Sequence, residues 1–305
     1  MIKRTIQPFK LLFIMQGSYF KRLIIPELVL FVFSFIIYYY QTHIAKIPIP
    51  ITPTVFALLG ISLAIFHGFC NNAAYDRFWE GRKLWGALVW QTRNVTRQVL
   101  TLQNIDMHEK QRFTRLVIAF THSLRHQLRD EDNTDSLIRI LNKDEQNQFV
   151  GQSFAALRLT QAMGEQLGRW LNQDKINALQ WQNIDNSIGE LAHIQAGCER
   201  IYNTPVPFSY FVLLHRTVYL YCFMLPFGLG NVIGWVTPFV VAFVGYTFMA
   251  LNEIVDEISQ PFGVLDNHLP LCMMCDTIET QLAQLSEQVF EKDNTRKVLP
   301  KHVIL

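Results

Sequence analysis

Four apolar runs divide the chain before any other feature does: residues 23–40, 54–70, 207–229 and 232–251. About 20 apolar residues of helix cross the ~30 Å hydrocarbon layer of a bilayer, and shorter runs need protein cover. The fourth run carries no charge at all. Glu27 sits near the start of the first, His67 within the second, and His215 with Arg216 in the third. Ionisable groups are rare at membrane depth, so the second and third runs would also suit helices buried in a soluble core. As spans, the four make two hairpins.

Between the hairpins the pattern changes to a helical period with polar residues interposed. Phe113, Leu116, Val117, Phe120, Leu124 and Leu128 form one stripe, and Ile184, Ile188, Leu191, Ile194, Cys198 and Ile201 form another. No strand-like alternation of useful length occurs, and no repeat of solenoid period is found. The run 129-RDEDNTDS-136 should break one helix, with Thr134 or Asp135 capping the next. In 203-NTPVPF-208, Pro205 and Pro207 predict a stop and a fresh start. The expected fold is all-α, in four parts. Residues 1–75 hold an N-terminal surface segment and the first transmembrane hairpin, and 76–206 a helical cytosolic domain. Residues 207–251 hold the second transmembrane hairpin, and 252–305 the C-terminal cytosolic helices and tail.

One stretch has an unusual transition. In 60-GISLAIFHGFCNNAAYDRFWEGRKLW-85 membrane-grade sequence becomes basic and Trp-rich with no turn residue between. Read as helix, Ile61, Ile65 and Phe69 fall within an ~80° arc and span about 12 Å of axis. The same face has Leu58 above, then Asn72 and Asp76 below. Copies around an axis would make a hydrophobic constriction opening into a polar, acidic vestibule, an arrangement that gates by dewetting. A single subunit could equally bury the stripe in its own core, which is what apolar stripes usually do.

Composition fits partial membrane embedding: 50% of the 305 residues are hydrophobic and 17% charged, against roughly 25% charged in soluble domains. The mean hydropathy is +0.14. A net charge of +2 gives no pointer to nucleic acid. Lys3, Arg4, Lys10, Lys21 and Arg22 precede the first run, and Arg77, Arg82, Lys83, Arg93 and Arg97 follow the second. The hairpin loops hold only Lys46 and, in 228-GLGNVIGW-235, no basic residue. The positive-inside rule then predicts both termini and the middle domain in the cytoplasm. The basic N-terminal segment has an apolar patch too short for a cleaved signal and is expected to lie on the membrane surface.

Candidate chemistry is sparse. The five cysteines, Cys70, Cys198, Cys222, Cys272 and Cys275, have no framework spacing and are expected to be reduced thiols. His122 and His126 have the i, i+4 spacing of zinc ligands with Asp130 beyond, but no fourth ligand, so they are expected to be solvated surface. Cys272 and Cys275 are half of a zinc site without a partner pair. No phosphate loop, nucleophile elbow or HExxH motif is present, so neither catalysis nor a cofactor or metal is expected. His215 and Arg216 are expected to tie helices near the cytosolic boundary, with Glu253, Asp256 or Glu257 as counter-charges. Arg77, Phe78, Trp79 and Trp85 suggest a collar of Arg against aromatic faces.

Four places in the chain resemble the bestrophin channel family in its prokaryotic branch: ISLAIFHGFCNNAAYDRFWEGRKLWG, NTPVPFSYFVLLHRTVYL, LPFGLGNVIGW and 256-DEISQPFG-263. The likeness runs from about residue 20 to 265 and is less clear over 130–175. The resemblance implies a homopentameric ion channel of the bacterial inner membrane, with four transmembrane helices per subunit. The second helix would line the pore and continue into the cytosol, which accounts for the missing stop. Ile61, Ile65 and Phe69 would then form a three-ring neck, and Asn72 and Asp76 would face the vestibule. Leu214, or its competitor Leu213, would form a cytosolic constriction. Eukaryotic members hold calcium with acidic residues after their Pro-Phe-Gly. Here Pro261-Phe262-Gly263 is followed by a single acid, Asp266, so no calcium gate is expected.

The expected partners are a lipid bilayer, further copies of the chain and small monovalent ions. The family points to chloride and other anions, its prokaryotic branch and the projected position of Asp76 to monovalent cations. The alternative is a membrane-anchored helical scaffold or enzyme without a pore.

Overall fold

In a computed structural model, residues 19–45, 53–152 and 154–290 are described, and no strand occurs among them. Among the described residues ten α-helices follow in order. They are α1 (Phe20–Tyr39), α2 (Pro53–Leu100), α3 (Met107–Gln127), α4 (Thr134–Ile140), α5 (Lys143–Phe149), α6 (Ala155–Asn172), α7 (Ala178–Asn203), α8 (Phe208–Ile233), α9 (Thr237–Ile258) and α10 (Leu271–Leu285). The chain forms two compact units. One comprises 19–78 with Pro205–Gln260, the other Trp79–Thr204 with 261–290.

In the first unit α1 packs against α8 and α9. Its core gathers Leu23, Leu30, Phe56, Leu63, Val218, Cys222, Leu225, Val241 and Met249. Edge-to-face pairs lock the bundle: Phe33 to Phe223 at 5.2 Å and Phe31 to Phe239 at 5.3 Å between ring centroids. Gly228 and Gly245 leave room where the Phe56 ring and the Leu30 side chain sit, the close approach that small residues permit between membrane helices. Large apolar side chains on the outside, among them Ile25, Leu28, Ile36, Leu220 and Phe243, stay exposed. Among the described residues three helical stretches are long and apolar enough to cross a membrane: Arg22–Ile44, Pro53–Leu100 and Phe208–Ile258. The last contains the turn Gly234–Val236, where Gly234 adopts φ +60° and ends α8.

The second unit is built as its two stripes predict, since all six positions of each are buried. There α3 packs on α6 and α10, and α6 on α7. Two helices begin with reciprocal caps. The Gln180 N–H donates to Asn177 Oδ1 (2.8 Å) and the Asn177 N–H to Gln180 Oε1 (3.0 Å), and Asn142 with Glu145 repeats the arrangement. The expected cap at Thr134 or Asp135 is corrected: Asn133 precedes α4, and Asp132 Oδ1 accepts from the Thr134 N–H (3.1 Å) and hydroxyl (2.9 Å). The acceptor lies one turn of loop earlier because Asx side chains readily bond the backbone two residues on.

The N-terminal surface segment, the loop around Lys46 and most of the C-terminal tail lie outside the described residues.

Candidate functional site

The candidate site lies on α2, which runs 48 residues, ~72 Å at 1.5 Å per residue, without a break. Pro53 opens it at a position where a missing N–H costs nothing. Gly60 and Gly68 do not interrupt it, and it ends where the Thr101 hydroxyl and Lys110 Nζ bond the carbonyls of Arg97 (3.0 Å) and Leu100 (3.1 Å).

The helix has two faces. Leu63, His67 and Ala74 are buried, His67 against the Phe248 ring at 5.6 Å. On the other side Leu58, Ile61, Ile65 and Phe69 are left uncovered by their own subunit, the last three 60%, 57% and 68% exposed. Asn72 and Asp76 continue that face and are also exposed. Burial of the stripe within one subunit, the competing expectation, is therefore overturned. Bulky apolar side chains so exposed stay out of water only against lipid, another protein surface or a dewetted axis.

Leu214, the expected cytosolic constriction, is 3% exposed within one chain, whereas Leu213 is 50% exposed. One helical step, ~100°, separates the two. Leu213 lines an apolar groove of about 500 Å³ with Leu59, Phe66 and Leu220.

Among the expected counter-charges, Asp256 Oδ2 lies 3.5 Å from His215 Nε2, while Glu253 pairs with Arg22 at 3.4 Å. Arg77 is not simply stacked in an aromatic collar: its Nε donates to the Ser259 carbonyl at 3.1 Å. Trp85 is fully buried and Trp79 half exposed, so the four residues do not share one surface.

His122 and His126 also depart from expectation, because both are buried. The helix face that looked polar is covered by α10 and α4. His122 Nε2 lies 2.8 Å from Glu279 Oε2, and Arg139 grips the same carboxylate through two bonds of 2.6 and 2.7 Å. These bonds hold the Glu279 carboxyl at about 2, overcoming the effect of burial, which would raise it. Burial in turn pushes the His122 imidazole below its usual range. It is a buried neutral ring in close polar contact with an anion.

Arg129, at the head of the helix-breaking run, has a role that the sequence pattern does not show. Its Nε and Nη2 donate to the carbonyls of Phe262 (3.0 Å) and Gly263 (3.1 Å), and the Phe262 ring and Pro261 press on Gly81 of α2. The Pro-Phe-Gly element is thereby fastened to the helix. Only the lone cation inside a polar run hinted at this. The turn that follows is closed by the Leu265 N–H donating to His268 Nδ1 (3.1 Å). Among the described residues no group of three or more His, Cys, Asp or Glu side chains suited to a metal gathers.

A helix bundle with an unusually long, two-faced helix and a clamped Pro-Phe-Gly element matches one family. The family model of the bacterial and fungal bestrophin proteins covers residues 1–284. A relative from Salmonella typhi, called voltage-dependent anion channel-forming protein YneE, is 37% identical over 291 residues, 95% of this chain and 94% of that protein. Voltage-dependent anion channel-forming protein RSc3414 from Ralstonia nicotianae is 38% identical over 91% of each. A crystal structure of a bacterial bestrophin homolog from Klebsiella pneumoniae is 37% identical, with a TM-score of 0.83 over 87% of this chain and 99% of that one. The chain belongs to the bestrophin family.

Proposed function

We propose that the chain is one subunit of a homopentameric ion channel in a bacterial inner membrane. It would conduct small monovalent ions passively through a hydrophobic neck of Ile61, Ile65 and Phe69. The observation that carries this reading is the uncovered face of α2, where three bulky apolar side chains four residues apart give way to Asn72 and Asp76. Fivefold repetition turns each position into a ring, apolar in the neck and carboxylate below it.

In this reading α1, the first part of α2, α8 and α9 are the four crossings. Residues 76–206 and 252–305 are cytosolic, as are both termini. The relatives' name speaks for anions. Two features of this chain speak for cations: Asp76 stands on the stripe, and the neighbouring Arg77 spends a donor on the Ser259 carbonyl.

The test begins with mass in detergent, where the pentamer requires five chains of 35.5 kDa and a stable monomer contradicts it. Planar-bilayer recording across a salt gradient then reads the sign of the permeant ion from the reversal potential. Asp76→Asn should move that potential toward anions, and an unmoved potential would remove Asp76 from the ion path.

A further inference from the structure

Away from the membrane helices, the loop between α3 and α4 meets the start of α6 in a cavity of about 360 Å³. Asp130, Glu131 and Asp132 all line it, and none of the described residues lining it is Lys or Arg. Its one basic group, His126, is occupied: its ring lies 3.4 Å from Glu131 Oε2 and 2.9 Å from Ser136 Oγ.

Acidic clusters are common on surfaces, but two buried groups here lack partners. Ser123 lines the cavity, is 1% exposed and has no hydrogen-bond partner for its Oγ. Gln127 donates from Nε2 to Glu199 at 2.7 Å, leaving its own buried Oε1 without a donor. A buried acceptor left unmade is costly, so such atoms are usually satisfied by protein, water or a bound group.

The rim is strained as well. Phe154 lines the cavity 69% exposed, with its backbone at φ 57°, ψ 42°, and Asp130 has φ 51°. Left-handed backbone is unfavourable for a bulky residue, and strain of this kind concentrates where ligands are held.

We propose that this cavity binds a small organic ammonium ion, a protonated primary amine, on the helical unit. An –NH3+ group brings three donors and no acceptor, which complements a lining of carboxylates and donor-starved oxygens. The Phe154 ring offers a face to the cation and cover to its alkyl part. A divalent metal is served less well. Tyr202 donates its hydroxyl to Asp130, Thr134 holds Asp132, and His126 holds Glu131, so no carboxylate is free to turn fully inward. An ammonium can share those oxygens.

The test uses the full chain in detergent, titrated with n-butylammonium chloride and followed by saturation-transfer NMR. Saturable binding is expected, about tenfold weaker in Asp130→Asn and in Phe154→Gly. Both variants should fold: Asn tolerates positive φ and can still accept from Tyr202, and Gly suits the Phe154 backbone better than Phe does. A melting temperature equal to or above wild type confirms that weaker binding is not unfolding. The proposal is overturned if n-butylammonium does not saturate, if either folded variant binds it as wild type does, or if n-butanol or calcium chloride competes equally well.

Discussion

His122 Nε2 lies 2.8 Å from Glu279 Oε2 in the interior of the helical unit, so α3 and α10 meet through an imidazole in close polar contact with a carboxylate. Arg139 from α4 completes the cluster. Two consecutive helices and a third some 140 residues on therefore share one largely covered anion.

Removing that anion takes a shared carboxylate away from His122 and Arg139. Glu279→Ala should cost about 1–3 kcal/mol, the scale for taking the acceptor from covered polar groups. A clear fall in the thermal midpoint of the detergent-solubilised chain would register it, and an unchanged midpoint would show that the cluster does not stabilise the unit.

The same cluster sets an acid limit. Both folded-state values lie below those of the free groups, 6.5 for His122 and 4.5 for Glu279, the latter falling to about 2. The unfolded chain thus binds more protons in each window, and stability falls as pH drops. His122 contributes below about pH 6.5 and Glu279 from about 4.5 down toward 2. Melting temperature measured from neutral to acid pH should decline in both windows, and His122→Gln should remove the upper one.

Arg129 holds two carbonyls of the Pro-Phe-Gly element with a planar fork that Lys lacks. Arg129→Lys should therefore loosen that element nearly as much as Arg129→Ala, read as faster amide exchange across 261–269. Gly81→Ala should do likewise, because a Cβ there would sit 3.1 Å from the Phe262 ring, and overpacking of this kind costs about 1–3 kcal/mol. Slow exchange in all three variants would mean the element is held by other contacts.

The comparison of Leu213 with Leu214 separates packing from conduction. Leu214→Ala empties a buried site and should lower stability by about 2–5 kcal/mol while leaving ion selectivity alone. Leu213→Ala should spare stability and alter conductance if this leucine approaches the ion path. The reverse pattern would place the constriction at Leu214.

The legibility of these features follows from how local each one is. The stripe from Phe113 to Leu128 and the stop at 203–208 could be read directly, since period and proline geometry are local properties. The side of α2 that stays uncovered could be projected but not assigned, because a stripe looks the same whether its cover comes from its own subunit or another. His122 and His126 differ from expectation for a related reason: hydropathy marks a face as polar without revealing that α10 supplies a carboxylate to it. Leu213 and Leu214 differ by one helical step, which depends on how α8 rotates against α1 and α9. Arg129 finds its acceptors only after the chain has returned through two further membrane-length helices.

The central claim is that Ile61, Ile65 and Phe69 surround the ions rather than face lipid. Single-channel conductance of Ile65→Ala beside wild type in a planar bilayer tests it most directly, since shortening one ring widens and wets an apolar neck. The account predicts a larger unitary current from pentamers of normal mass. An identical current from equally well-assembled channels would put the face of α2 elsewhere and contradict it.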